Sequence, residues 1–312
     1  MQPAAILHSV SYSGSWGQAL LPIEGFVDKA ADLGFDGVML MAKRPHLSIL
    51  DWPPTSRSRL RRQLEQRGLQ NICVAGYTNF TADLEHADVP TREIHIRHVV
   101  DLAELARDLG GNLVRIFTGY ESPHATYAAQ SKMIIESLTE CAERAAEFDV
   151  TIGVQNHHDI ASGFESQADL IEEIDQPNCR AMFDAWAPAL HRADLQAAVA
   201  RMAKISVQTT VANYQLRPRY RYVPNLVNYE ALQPALVAVP IDEGFIDYRS
   251  FLNNMEAAGF RGPIAYEMCS PLRGGGSLAN LDYYANRFLE FKKGLHLAVP
   301  TSNSVPTGVA KL

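Results

Sequence analysis

Only four cysteines occur in 312 residues, Cys73, Cys141, Cys179 and Cys269, and no two stand in CxxC spacing. That excludes the common zinc and dithiol signatures and reads as scattered buried thiols in a reducing compartment. No apolar stretch approaches the ~20 residues needed to span a bilayer. The first residues, "MQPAAILHSV", lack the positive region and long apolar core of a secretory leader. No basic block occurs and the formal net charge is −7, which speaks against a nucleic-acid surface. No GxGxxG follows the first apolar run, so the dinucleotide fingerprint is missing too. What remains is a cytoplasmic chain of enzyme size, 47% hydrophobic and 20% charged, with neither nucleic acid nor membrane among its partners.

What the chain does have is alternation. Short apolar runs at 4–10, 36–42, 70–77, 113–118, 150–155, 180–184, 205–211 and 263–268 predict strands. Segments of helical period fall between them, at 22–33, 57–67, 91–109, 127–148, 166–174, 194–202, 248–258 and 280–294. In the fourth helix Ile134, Leu138, Cys141 and Ala145 share one face, as Leu281, Tyr284, Phe288 and Phe291 do in the last. Two junctions repeat: "AADLGFDGVML" and "AAGFRGPIAYE" each run Gly-Phe-x-Gly out of a helix into a strand. Glycine relieves the left-handed conformation that often ends a helix. Eight βα units spread over most of the chain predict an α/β fold, a single-domain (β/α)8 TIM barrel over 1–296. The stretch 297–312, rich in Pro, Ser, Thr and Gly, reads as a C-terminal tail.

Barrel enzymes place their chemistry at the C-terminal ends of the strands. There this sequence is polar. Strand two leads into Lys43, Arg44 and His46, and strand four contains Arg115. Strand five ends in "GVQNHHD", with Gln155, His157 and His158. After strand seven, "NYQLRPRYRY" reads as a loop carrying Arg217, Arg219 and Arg221; "PLRGGGS", with Arg273, follows strand eight. Singly, a loop histidine or an arginine run is more often a solvated surface than a site. Asp184 in "AMFDAW" and Glu267 in "IAYEMC" carry more weight, because a carboxylate at an apolar strand end is costly unless paired or metal-bound. Lys43, His46, Arg115, Arg217, Arg219 and Arg273 are the candidate substrate-binding residues.

Gln155, Asp184, Gln208 and Glu267 come from four successive strands and could converge on one point. Their oxygens suit a hard or borderline divalent ion, Mg²⁺ or Mn²⁺. Zn²⁺ would prefer more nitrogen or sulfur.

With these residues in place, the sequence resembles the xylose-isomerase-like TIM-barrel superfamily, the sugar phosphate isomerase/epimerase family, over about residues 4–292. The resemblance is carried by "GFDGVMLMAKRPH", "GVQNH", "FDAW" and "EGFIDYRSFLNNMEAAGFRGPIAYEMCSPLRGGGS". It implies that Glu267 binds metal and acts as acid and base, and that Asp184 and Gln208 are metal ligands. Gln155 stands where the family usually has a second glutamate, and Ala187 where it often has a histidine. An amide cannot accept a proton at neutral pH, so base duty could fall to His157 or His158.

The expected activity is therefore a divalent-metal-dependent isomerase or epimerase that abstracts a proton beside a (keto)sugar carbonyl. A lyase is the alternative: a dehydratase, or a subunit resembling the large subunits of C-glycoside deglycosidases, which cleave 3-keto-glycosides by β-elimination. A non-catalytic sugar-binding or scaffold subunit is the third reading. The expected partners are a small carbohydrate or glycoside and either a second copy of the chain or a small second subunit.

Overall fold

The structure, a computed structural model, describes residues 3–157 and 159–295. His158 and the expected tail at 297–312 lie outside the described residues. Eight parallel strands form the barrel: β1 Ala5–His8, β2 Gly37–Met41, β3 Asn71–Ala75, β4 Leu113–Ile116, β5 Thr151–Gln155, β6 Cys179–Met182, β7 Thr209–Val211 and β10 Ile264–Tyr266. Their order around the sheet is β6-β5-β4-β3-β2-β1-β10-β7. The remaining seam, β6 to β7, is bridged where Val207 N donates to Ala181 O at 2.9 Å and Ala181 N to Ile205 O at 3.0 Å. A chain of such βα units is a TIM barrel.

The outer helices are α1 Ile23–Leu33, α2 Pro54–Gln66, α3 Thr91–Asp108, α4 Tyr127–Ala146, α5 Phe164–Ile174, α6 Trp186–Leu190, α7 Leu195–Met202, α8 Tyr248–Ala257 and α9 Leu278–Lys293. The expected faces of α4 and α9 are buried, including Ile134, Leu138, Phe288 and Phe291. Helix α2 begins three residues earlier than its apolar period suggests, because Pro54 tolerates the first turn, where its missing N–H has no partner to lose. Short α6 was not anticipated. No helix among the described residues is long and apolar enough to cross a membrane.

The repeated Gly-Phe-x-Gly junction has one geometry in both places. Gly34 and Gly259 sit at φ 93° and 106°, where only glycine is unstrained. A Cβ at Gly37 would lie 2.0 Å from the carbonyl oxygen of Asn71, and one at Gly262 1.9 Å from that of Val207. The first glycine turns the chain; the second lets the incoming strand lie against its neighbour.

The segment after β7 is not a loop. It forms an antiparallel ribbon, β8 Asn213–Val223 with β9 Asn228–Val239. The pairing register shifts between Arg217 and Arg219; beyond that point side chains alternate, with Tyr220 and Tyr222 on one face and Arg219 and Arg221 on the other. Its outer part is solvent-exposed, while Tyr214 and Val237–Val239 at its base are buried.

Candidate active site

Period two along the barrel strands builds the site on an apolar plug. Ile6, Leu113, Met182 and Ala265 belong to one buried cluster inside the barrel. Two residues further along the same four strands stand His8, Arg115, Asp184 and Glu267, facing the same way. They meet at the C-terminal mouth, where a cavity of 680 Å³ opens.

Glu267 faces that cavity. The Cys269 thiol donates to its Oε1 at 3.1 Å, and the Tyr214 hydroxyl lies 3.2 Å from the same sulfur. Burial pushes the Glu267 carboxyl up; the Cys269 hydrogen bond and the Arg115 charge pull it back. Asp184 is buried beneath. Gln155 Nε2 donates to its Oδ2 at 2.8 Å, and Trp186 N donates to its Oδ1 at 3.0 Å. Burial is the main cause that pushes Asp184 up to about 7, with the charge of Glu267 adding to it.

His8 was missed in the sequence, although it ends its strand as the other candidates end theirs. Its Nδ1 lies 2.9 Å from the carbonyl oxygen of Met39. Val10 N also lies 3.4 Å from Nδ1, but the Met39 carbonyl is nearer and only accepts, which favours the proton on Nδ1 and leaves Nε2 as an acceptor. That nitrogen is 3.4 Å from Arg115 Nη2 and 4.0 Å from Glu267 Oε2. Burial holds the His8 pKa well below the usual imidazole value, with Arg115 adding to the effect. A neutral histidine there orients Arg115.

Five rings from five consecutive strand ends line one side of the mouth. Tyr77 and Phe117 have centroids 5.9 Å apart, Phe117 and His157 4.8 Å, His157 and Trp186 5.3 Å, and Trp186 and Tyr214 6.1 Å. The Arg115 guanidinium lies 4.8 Å from the Tyr77 centroid and 4.3 Å from that of Phe117. Lys43 Nζ is 3.9 Å from the Tyr77 centroid.

The structure thus brings together Lys43, Arg115, Gln155, His157 and Glu267 at the cavity, with Asp184 directly behind Gln155. It does not bring the others. Gln208 lies one layer too low: its Nε2 is 3.4 Å from Met39 Sδ, beside the opposite end of the barrel. Two residues on, Thr210 pairs in register with Ala265, below Glu267, and its hydroxyl is buried without a partner. His46 is packed between Ser9 Oγ at 3.0 Å and Leu21 O at 3.1 Å, on the ring of Phe26, and serves the core. Arg217 and Arg219 project from the exposed ribbon, and Arg273 pairs with Glu243. Cys73, Cys141 and Cys179 are buried thiols as expected, whereas Cys269 is partly buried and donates a hydrogen bond to Glu267.

Among the described residues no three His, Cys, Asp or Glu side chains form a metal-holding group. The oxygens at hand are the carboxylates of Asp184 and Glu267 and the amide oxygen of Gln155, whose nitrogen is already committed to Asp184. A buried carboxylate whose proton affinity is raised further by the charge of a neighbouring one is an arrangement a cation relieves. The donor chemistry fits a hard divalent ion that keeps water or substrate in its remaining positions.

The model of the family described as xylose isomerase-like TIM barrel matches residues 27–286. No curated protein sequence matches the chain significantly. Among solved structures, D-psicose 3-epimerase from Clostridium cellulolyticum H10, with D-tagatose, is 15% identical, with a TM-score of 0.70 over 94% of this chain and 99% of that one. A probable 3-DHS dehydratase involved in petrobactin synthesis in Bacillus anthracis is 16% identical, at TM-score 0.67 over 94% and 98%. A xylose isomerase-like TIM barrel protein from Mycobacterium smegmatis, in complex with magnesium, is 15% identical, at TM-score 0.65 over 94% and 96%. At these identities the likeness is one of fold.

Proposed function

The chain belongs to the xylose isomerase-like TIM barrel family, and from that premise we propose an enzyme of carbohydrate metabolism, dependent on a divalent metal. It removes a proton from the carbon beside a carbonyl of a keto sugar or sugar derivative. The observation that carries this reading is the group of Glu267, Asp184 and Gln155 at the cavity floor. When bound there, Mg²⁺ or Mn²⁺ supplies Lewis acidity at the substrate carbonyl. Asp184, Glu267 and the amide oxygen of Gln155 are the residues to hold it.

Glu267 is the base. Its carboxylate accepts the proton from carbon and becomes a carboxylic acid, which then returns the proton to the adjacent carbon or to a departing oxygen. Cys269 and Arg115 favour its ionised form against the cost of burial. Gln155 cannot mirror it from strand five, so inversion by a pair of carboxylates is not available to this chain. His157, between the rings of Phe117 and Trp186, is the titratable side chain placed to act as a second acid or base.

One observation favours elimination as a second reading. The cavity, at 680 Å³ and bordered by rings, falls within the roughly 300–1,000 Å³ that hold drug-sized ligands. It has room for a sugar with a substituent, and a single base suffices to take the proton and let a β-substituent leave.

Metal analysis before and after chelation, with deuterium exchange from solvent into candidate keto sugars, tests the proposal. Metal-dependent exchange supports it, and product analysis then separates isomer from eliminated product. A metal-free protein that exchanges no candidate substrate overturns it.

A further inference from the structure

Among the described residues, two cations at the cavity, Arg115 and Lys43, have no hydrogen bond to a carboxylate. Arg115 is 2% exposed. Its hydrogen bonds go to the carbonyl oxygen of Gly76 at 3.0 Å and to the His8 ring at 3.4 Å, both uncharged, and its buried Nε has no partner. Lys43 lines the same cavity, its ammonium held over Tyr77 rather than against a carboxylate. A guanidinium offers five donors in a fork shaped for a carboxylate, and burying it beside neutral acceptors alone is costly.

The carboxylates nearest are Glu267, which lines the cavity, and Asp184, behind Gln155. If they hold a divalent ion, their two negative charges are taken up by it. Arg115, buried, and Lys43, exposed at the rim, then leave two positive charges facing a cavity bordered by rings. We propose that the substrate brings the balancing charge: it carries a carboxylate, or an anion of like shape, that docks on Arg115 and Lys43 while its carbonyl end lies toward Glu267. This rests on the metal-site reading above, which fixes the charge left over.

The geometry gives each end of such a ligand its place. Arg115 leaves its strand two residues beyond Leu113, on the side of the barrel away from Glu267's own strand. An acid anchored there presents its far end to the base, and the rings of Tyr77 and Phe117 flank the anchoring guanidinium. A neutral sugar of the same size would leave both cations unmatched.

The test compares matched probes on the Mn²⁺-loaded protein by calorimetry: D-glucuronate against D-glucose, and benzoate against benzamide. Each anion is expected to bind about tenfold or more tighter than its neutral counterpart, the order of one charge-assisted hydrogen bond. Lys43→Gln and Arg115→Gln should each cut that preference severalfold while leaving Mn²⁺ stoichiometry, read by equilibrium dialysis, unchanged. Should Arg115→Gln fail to fold, Lys43→Gln decides alone. Equal binding of anion and neutral probe, including no binding of either, overturns the proposal. So does a preference that survives the substitutions, because the carboxylate then sits on the metal. Loss of Mn²⁺ binding by the unsubstituted protein is read separately and counts against the metal site instead.

Discussion

Gln155 Nε2 donates to Asp184 Oδ2 at 2.8 Å, joining the ends of β5 and β6 behind the cavity. A glutamate at 155 would turn that donor into a second negative charge. Gln155→Glu is therefore expected to destabilise the metal-free protein by about 1–3 kcal/mol, the usual cost of an unmade buried hydrogen bond. In the same variant Mn²⁺ affinity should rise. Urea unfolding and equilibrium dialysis measure the two effects, and unchanged affinity would place residue 155 outside the coordination sphere.

The same pair sets a pH dependence. Asp184 titrates at about 7 in the folded, metal-free chain, against about 3.9 when unfolded. Its folded-state value is raised, so its contribution to stability is fully present below about pH 4 and is lost as pH rises through about 7. Chelated protein should lose stability across that window. Asp184→Asn should flatten the slope, and saturating Mg²⁺ or Mn²⁺ should offset it at the upper end. Melting temperatures at fixed ionic strength give the curves.

Much of this was legible in the sequence, for reasons that can be named. Strand–helix alternation and the repeated Gly-Phe-x-Gly junction encode the barrel locally, through periodicity and two backbone positions that exclude a side chain. Asp184 and Glu267 stood out because a carboxylate in an apolar strand end demands a partner. Gln208 misled because strand ends fix residue type but not axial depth: the layer is set by register, and Thr210 is two residues nearer the mouth. His8 obeys the same rule as the other strands, ending β1 at the mouth. The ribbon resembles a loop in the sequence because its outer part buries neither face, so its arginines and tyrosines carry no apolar period. Arg219→Ala, on its exposed part, should accordingly leave KM nearly unchanged.

Cys269 is expected to tune the base. Its hydrogen bond lowers the Glu267 pKa, so Cys269→Ala should raise it. Activity that needs ionised Glu267 increases with pH through that pKa, and the acid limb of kcat/KM should move to higher pH. Cys269→Ser, which keeps a donor at this position, should shift it less. Superimposable profiles would mean that the thiol does not act on the base.

The two glycines of each junction predict a graded cost. Gly34→Ala places a side chain in a left-handed turn, worth about 1–2 kcal/mol. Gly262→Ala must push a strand away from the carbonyl of Val207, 1.9 Å from the new Cβ, and should cost more. Chemical denaturation of both variants orders them.

The assignment of the base rests on Glu267 against His157. Both line the cavity, but the Glu267 carboxylate has Cys269 and Arg115 to hold it ionised, whereas His157 lies between the rings of Phe117 and Trp186. Glu267→Gln keeps the shape and an oxygen donor while removing the proton acceptor, so solvent-deuterium exchange into substrate should fall by about 10²-fold or more, the scale of general-base catalysis. Metal content should drop as well, because a neutral amide is the weaker ligand. His157→Gln should leave metal content intact. If it also leaves exchange intact and slows only product formation, His157 acts after proton abstraction, as the acid that assists reprotonation or departure. If exchange disappears in His157→Gln and persists in a metal-reloaded Glu267→Gln, the histidine is the base and Glu267 is a ligand alone.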